Sequence, residues 1–230
     1  MICALIVAAG QGLRMGAPQR KQFLHLRGRP ILTRTLQTFD CAERIERIVV
    51  AVPPSEKAYC EQEILAGAGL KKPVVLVEGG AHRQESVFNG LQSLGDAEGI
   101  VLIHDGVRPM VTEALINSCI QGALQWDACI PAAPVVDTLK QINADGTIVR
   151  TLAREQLRMA QTPQTFRLSL IYRAHTEARR LGLKATDDAS LVESMGVAVH
   201  VIDGLRENFK ITTPEDLAWA EAWLRSAGDL

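Results

Sequence analysis

At 230 residues the chain is long enough for one large α/β domain with a substantial core. Its formal net charge of −1 excludes a general basic surface for DNA or RNA, so any cations that hold an anion must be local. No apolar run approaches the ~18 residues of a membrane-crossing helix, and none suits a signal peptide. The five cysteines (Cys3, Cys41, Cys60, Cys119, Cys129) are scattered and never in C-x-x-C spacing. That pattern implies reduced core thiols in a cytoplasmic protein, rather than a disulfide frame or a zinc site.

The chain opens with a predicted strand over 4–9 that breaks into Gly10-Gln11-Gly12-Leu13-Arg14-Met15-Gly16, with Lys21-Gln22 close behind. Glycine has no Cβ, so such a turn lets backbone N–H groups approach an anion. Arg14 and Lys21 add two cations, which suits a polyphosphate better than a single carboxylate. A Walker loop fails here because no Lys-Ser or Lys-Thr follows the second glycine. A dinucleotide fingerprint fits poorly: Met15 stands where the third glycine belongs, and 30–36 reads as a helix rather than a strand ending in an acid. The nucleotidyltransferase pattern A-A-G-x-G-x-R-M…K-Q is complete, as Ala8, Ala9, Gly10, Gly12, Arg14, Met15, Lys21 and Gln22. An ordinary strand–turn–helix corner with solvated cations is the bland alternative.

Further buried-strand runs are predicted at 48–52, 74–77, 100–103 and 128–132, with helical patterns between them at 30–39, 56–65, 84–94 and 113–125. Short apolar runs without alternation mark strands covered on both faces. Their alternation with helices predicts a three-layer, Rossmann-like α/β sandwich on a mostly parallel sheet, with ligands beyond the carboxyl ends of its strands. After Pro134 the rhythm changes. Strands over 135–139 and 147–152 flank Asn143-Ala144-Asp145-Gly146, a hairpin signal. The segment is too polar for a core pair, so a projecting β-arm at about 135–165 is expected, with a homodimer in which two arms embrace. Thr213-Pro214-Glu215-Asp216 then starts the last helix, with Thr as N-cap and Pro at the first position.

Several residues along this path can carry chemistry. Asp105 follows the predicted strand over 100–103, where a lone carboxylate beside phosphates suits Mg²⁺, and Arg108 offers a fork for a second anion. Asp105 as a turn or cap residue is the structural alternative, and His104 reads as a packed histidine. Gly79-Gly80-Ala81-His82-Arg83-Gln84-Glu85-Ser86 allows a close backbone approach, with the Ser86 hydroxyl early in a helix, for a base or ribose; a capped loop explains it nearly as well. Thr138, Arg154, Thr162 and Thr186-Asp187-Asp188 are polar residues of the arm and beyond, individually weak. Lys210 alternates with Phe209 and Ile211 on a predicted short strand, where it can face a site.

Taken together, these segments resemble the 2-C-methyl-D-erythritol 4-phosphate cytidylyltransferase family over nearly the whole chain. The resemblance rests on the opening loop, Gly79-Gly80 with Arg83 and Ser86, His104-Asp105 with Arg108-Pro109, and 134–138. It extends through Ala160-Gln161-Thr162-Pro163-Gln164, Thr186-Asp187-Asp188-Ala189 and 208–216. Two positions depart from the family pattern: Ala81, where members carry an acid or hydroxyl, and Gly106 in place of an alanine. The resemblance implies transfer of CMP from CTP to 2-C-methyl-D-erythritol 4-phosphate. It implies that Gly10, Gly12, Arg14 and Lys21 hold the triphosphate, that Gly79, Gly80 and Ser86 contact the cytidine, and that Asp105 is the Mg²⁺ ligand. Arg108 and Lys210 would stand by the reacting phosphates. Thr138, Arg154 and Thr162 from a partner's arm, with Thr186, would bind the acceptor. A ribitol 5-phosphate cytidylyltransferase is the nearest rival, and a nucleotide-binding regulator without turnover is the rival from another class.

Overall fold

The computed structural model of the chain describes residues 1–10, 19–95 and 98–228. In chain order the elements are β1 (Ile2–Val7), β2 (His25–Leu26), β3 (Arg29–Pro30), α1 (Ile31–Cys41), β4 (Arg47–Val52), α2 (Lys57–Tyr59), β5 (Val74–Glu78), α3 (Arg83–Gln92), β6 (Ile100–Asp105), α4 (Glu113–Trp126) and β7 (Ala128–Pro134). They continue with β8 (Lys140–Ile142), β9 (Ile148–Thr151), β10 (Arg158–Ala160), β11 (Gln164–Arg167), α5 (Leu168–Leu181), α6 (Asp188–Ser194), β12 (His200–Asp203) and α7 (Pro214–Ser226).

The main sheet runs β5-β4-β1-β6-β11-β7, and β12 pairs with β7. All neighbours are parallel except the line of β11 and β10, which runs against β6 and β7. The strands are apolar throughout because both faces are covered. One face packs Leu36, Phe39, Ile116 and Ile120 of α1 and α4 against Ile6, Val50 and Leu102. The other packs Val87, Leu91, Ile171 and Val192 of α3, α5 and α6 against Leu5, Val49 and Ile103. The expected three-layer α/β sandwich with a mostly parallel sheet is the fold observed.

Three local expectations need correction. The helix expected over 56–65 is composite: a 3₁₀ turn at Pro54–Glu56, then α2, then a π turn at Cys60–Leu65. Cys60 and Ile64 still face the core, which is the pattern the sequence carried. The first arm strand lies at 140–142 rather than 135–139, because Asp137 and Thr138 are exposed and the ladder with β9 begins only at Lys140. Lys210 lies in extended chain and not in a strand: side chains hold the segment, with Arg108 Nη1 donating to Asn208 O at 2.7 Å and Asn208 Nδ2 to Thr162 O at 2.8 Å.

The arm itself is a hairpin closed by the Asn143–Thr147 turn. Thr147 O accepts from Asn143 N at 2.9 Å, and Gly146 takes φ +86°, a value that favours glycine. Both of its strands are exposed along their whole length.

Candidate functional site

The carboxyl ends of β1, β4, β5 and β6 open onto one cavity of about 310 Å³. Its walls are Val7 to Gly10, Arg20 to Gln22, Pro53 to Ser55, Gly80 to Arg83 with Ser86, then Asp105, Val107 and Lys210. The loops stand where they do because each continues its strand's hydrogen bonding. Ala8 N donates to Ala51 O at 2.8 Å, Gly79 N to Val52 O at 2.7 Å and Gly106 N to Val7 O at 2.9 Å. Ala8, Ala9, Gly10 and Lys21 thus line the same cavity, whereas Gly12 and Arg14 lie outside the described residues. Gln22 is buried, and its amide donates to Ala8 O at 2.6 Å and Gly10 O at 3.2 Å, clamping the foot of the loop.

Gly79 is a packing requirement as well as a loop residue. A Cβ there would come within 2.2 Å of the Ala9 Cβ, so the two loops could not lie side by side. Ser86 lies in the first turns of α3, where its Oγ accepts from Gly80 N at 3.0 Å and donates to His82 O at 3.1 Å. The Glu85 carboxylate folds back to accept Ala81 N at 2.8 Å. The loop is therefore both internally capped and on the cavity wall.

The charge centre is Asp105, the last residue of β6 and nearly buried. Its Oδ1 accepts from Arg83 Nε at 3.0 Å, and its Oδ2 faces Lys210 Nζ at 3.0 Å and Arg108 Nε at 3.4 Å. Burial alone would raise this carboxyl. Arg83, Lys210 and Arg108 outweigh it and hold Asp105 well below the usual carboxylate range. Lys21 and Arg20 line the same cavity, Arg20 paired with Glu56 at 3.3 Å, and the Asp188 carboxylate stands behind Arg83. Cations thus gather on and behind a wall that carries a buried carboxylate, an arrangement suited to a polyanion.

Asp105 is kept straight by its neighbours. Its backbone N–H donates to Thr162 Oγ1 at 3.1 Å, and Thr162 Oγ1 lies 3.0 Å from His104 Nδ1. His104 Nε2 lies 3.1 Å from Arg108 O, a carbonyl that can only accept, so Nε2 carries the proton and Nδ1 accepts from Thr162. Burial pushes His104 down to about 3, keeping it neutral.

The predicted acceptor residues divide. Arg108 reaches Asp105, whereas Thr162 is buried between β10 and β11, off the cavity wall, with its hydroxyl engaged inside this chain. Thr138 and Arg154 are exposed on the arm, away from the cavity, with Arg154 Nη1 donating to Val136 O. Thr186 is exposed next to Asp187, the N-cap of α6. Unforeseen is the row that runs from Arg83 on the wall to the buried pair Asp188 and His175. Its signal was present: His175 interrupts the apolar stripe Leu168, Ile171, Ala174, Ala178 of a helical pattern.

Mg²⁺ typically binds through one or two carboxylates plus substrate phosphates and water. Among the described residues Asp105 is the one acidic residue on the cavity wall, and no group of three metal-ligating side chains occurs. A carboxylate offers about four lone-pair sites, and the three cations leave one on Oδ1. The residues therefore fit Mg²⁺ with Asp105 as the single protein ligand and phosphate and water as the remainder.

A family model described as "IspD: 2-C-methyl-D-erythritol 4-phosphate cytidylyltransferase" matches residues 2–226. A 2-C-methyl-D-erythritol 4-phosphate cytidylyltransferase from Geobacillus kaustophilus is 49% identical over 224 residues, covering 97% of this chain and 96% of that protein. One from Pelotomaculum thermopropionicum is 43% identical over 225 residues, covering 98% and 94%. Among solved structures, the 4-diphosphocytidyl-2C-methyl-D-erythritol synthase of Anaerococcus prevotii superposes with TM-score 0.86 at 33% identity, covering 97% of this chain and 98% of that one. The cytidylyltransferase of Thermus thermophilus gives 0.79 at 36% identity, covering 96% and 98%. Fold, cavity and similarity over almost the full length agree: the chain belongs to the 2-C-methyl-D-erythritol 4-phosphate cytidylyltransferase family.

Proposed function

We propose that the protein transfers the CMP group of CTP to 2-C-methyl-D-erythritol 4-phosphate, giving 4-diphosphocytidyl-2-C-methyl-D-erythritol and pyrophosphate, a step of non-mevalonate isoprenoid biosynthesis. The observation that carries the reading is the cation-rich cavity at the strand ends, built around Asp105 in a chain of this family. An oxygen of the acceptor phosphate attacks the α-phosphorus of CTP. The bond from that phosphorus to the β-phosphate's bridging oxygen breaks, and pyrophosphate leaves with the electron pair. The acceptor phosphate is ionised near neutral pH, so no protein base is needed. Burial pushes the Cys60 thiol up to about 11 and the Cys129 thiol up to about 12, so these cysteines are inert.

What the reaction asks of the protein is positioning and charge stabilisation. Lys21 and Lys210 bring two anions together and answer the charge that grows on the α-phosphate and the leaving oxygen. Arg14 belongs with them by its place in the loop pattern. The loop backbone at Ala8, Ala9 and Gly10, with Gly12, cradles the phosphates, and Gly79, Gly80 and Ser86 border the nucleoside. Asp105 aligns Arg108 and Lys210, and would be the ligand of a Mg²⁺ ion, which when bound draws charge from the phosphates.

The proposal extends to a homodimer. The arm segment carries Val136, Ile142, Ile148, Val149 and Met159, each more than half exposed. An isolated two-stranded hairpin is marginal in water. In a paired assembly Thr138 and Arg154 on the arm, with Thr186, would complete the acceptor site, while Thr162 at the arm's root holds the Asp105 amide from within this chain. A cytoplasmic location suits a CTP-using enzyme with four buried free thiols, and among the described residues no helix is long and apolar enough to cross a membrane.

Pyrophosphate release with CTP and Mg²⁺, measured in parallel with 2-C-methyl-D-erythritol 4-phosphate and ribitol 5-phosphate, tests the reading. Release with the first acceptor alone is expected. Release with ribitol 5-phosphate alone would move the acceptor assignment, and silence with both would overturn the proposal.

A further inference from the structure

From Arg83 on the cavity wall a row of ionisable groups runs inward that the transfer mechanism does not use. Arg83, the first residue of α3, reaches two carboxylates at once. Its Nε donates to Asp105 Oδ1 at 3.0 Å and its Nη1 to Asp188 Oδ2 at 2.7 Å. Asp188, at the start of α6, has a side chain only 1% exposed and does not line the cavity. Its other oxygen lies 3.0 Å from Nε2 of His175, which is fully buried on α5.

The hydrogen-bond chemistry assigns a role to each atom. A carboxylate only accepts, so His175 Nε2 carries the proton. The Nδ1 atom of the same ring is buried without a partner. The ring therefore meets Asp188 through Nε2 alone. Asp188 is held from the main chain as well, since Gln164 Oε1 accepts both Asp188 N at 2.9 Å and Ala189 N at 3.0 Å. Its carboxyl would be raised by burial, yet Arg83 and His175 hold it below the ordinary range.

A buried ion pair contributes little net stability, because desolvating two charges offsets their attraction. Orientation is what this one supplies. A planar guanidinium gripped at Nε and Nη1 by two fixed carboxylates cannot rotate, and Asp105 receives a donor in one fixed direction. We propose that Asp188 and His175 are positioning residues for the transfer: through Arg83 they set the direction of the Asp105 carboxylate, and with it the places of Arg108 and Lys210. This inference rests on the proposed function for its kinetic consequence, but not for its geometry.

The test compares the unmodified protein with His175→Leu, His175→Gln and Asp188→Asn, reading kcat per folded molecule, KM for CTP and the NMR signal of the Arg83 Nε–H. Losing a hydrogen bond to a charged group should lower kcat by about tenfold in H175L while KM for CTP stays within about twofold. The Arg83 signal, sharp and slow to exchange in the unmodified protein, should broaden. Glutamine restores a donor, so H175Q should regain most of the lost kcat. A merely structural role would instead reduce the yield of folded protein and leave kcat per folded molecule unchanged, which would overturn the inference. So would an H175Q variant no better than H175L. If H175L does not fold, D188N, nearly isosteric, carries the test, with a fall in kcat at least as large. Were the unmodified chain to release no pyrophosphate, the functional reading would fail by itself, and the Arg83 signal would still decide the positioning: unmoved in D188N, it would refute it.

Discussion

Lys210 and Lys21 have the most direct part at the scale of single residues, because their charges face the cavity without holding up the core. Lys210 also faces the buried Asp105 carboxylate at 3.0 Å, so its removal should lower the melting temperature modestly while the fold is kept. Lys210→Ala and Lys21→Ala should each lower kcat by on the order of 10²–10³, the usual consequence of losing one transition-state donor. Steady-state pyrophosphate release with a thermal melt on the same sample checks both halves of that expectation. Lys21 and Asp105 stand beside an apolar run at a turn and a strand end, where the sequence marks them, whereas Lys210, expected on a strand, stands in a segment that side chains hold. Arg83 was visible only as part of a motif. Its partner Asp188 lies 105 positions away, and nothing local announces a pairing made by the meeting of α3 and α6. Thr162 shows the same limit: its bonds to Asp105 N and His104 Nδ1 come from β11 lying against β6.

Elements were legible where burial on both faces removes alternation, as in β1, β4, β6 and β7. They were less so where tertiary contacts decide, as in the segment 54–65 and the stretch around Lys210. The start of α7 was fully local. Thr213 Oγ1 accepts Asp216 N at 3.3 Å, and the Asp216 carboxylate accepts Thr213 N at 2.9 Å, a capping box with Pro214 at the first position. Asp216 also accepts Thr212 N at 2.8 Å, so the same cap fastens the chain just after Lys210. Thr213→Ala should cost about 1 kcal/mol, read from the midpoint of urea unfolding at constant slope. The arm gives a second expectation at this scale. Ile148 is 63% exposed in a single chain, and a charge there should matter only if arms pair. Ile148→Asp should convert a dimer to a monomer in sedimentation velocity and raise KM for the acceptor more than for CTP. An unchanged sedimentation coefficient would exclude the arm as the joint.

At the scale of the whole molecule, three buried groups tie stability to pH in two successive windows. His104 takes a proton near 6.5 when unfolded but only near about 3 when folded. Across that interval the unfolded state binds more protons, so stability falls as the pH is lowered. Asp105 and Asp188 are depressed when folded; their contribution is full above about pH 4 and is lost as the pH drops below the unfolded carboxylate value. The melting temperature should therefore decline gently from about pH 6.5 and steeply below about pH 4. His104→Gln should flatten the first part and leave the second. A flat profile down to pH 4 in the unmodified protein would show that His104 is not kept neutral by the fold.

The line of β10 and β11 runs along one side of β7 and is broken only at Gln161–Pro163, so a single backbone joins the exposed hairpin to the clamp under Asp105. Lengthening the chain is therefore a different matter at its two ends. The Asn143–Thr147 turn can accept extra residues without disturbing the rest of its own chain, since the turn's hydrogen bonds stay within the hairpin. One residue added between Ala160 and Gln164 would displace Thr162 from the Asp105 amide and bring the growth of the arm to a halt at the reaction centre. The protein is free to be enlarged at the tip and is fixed at the root.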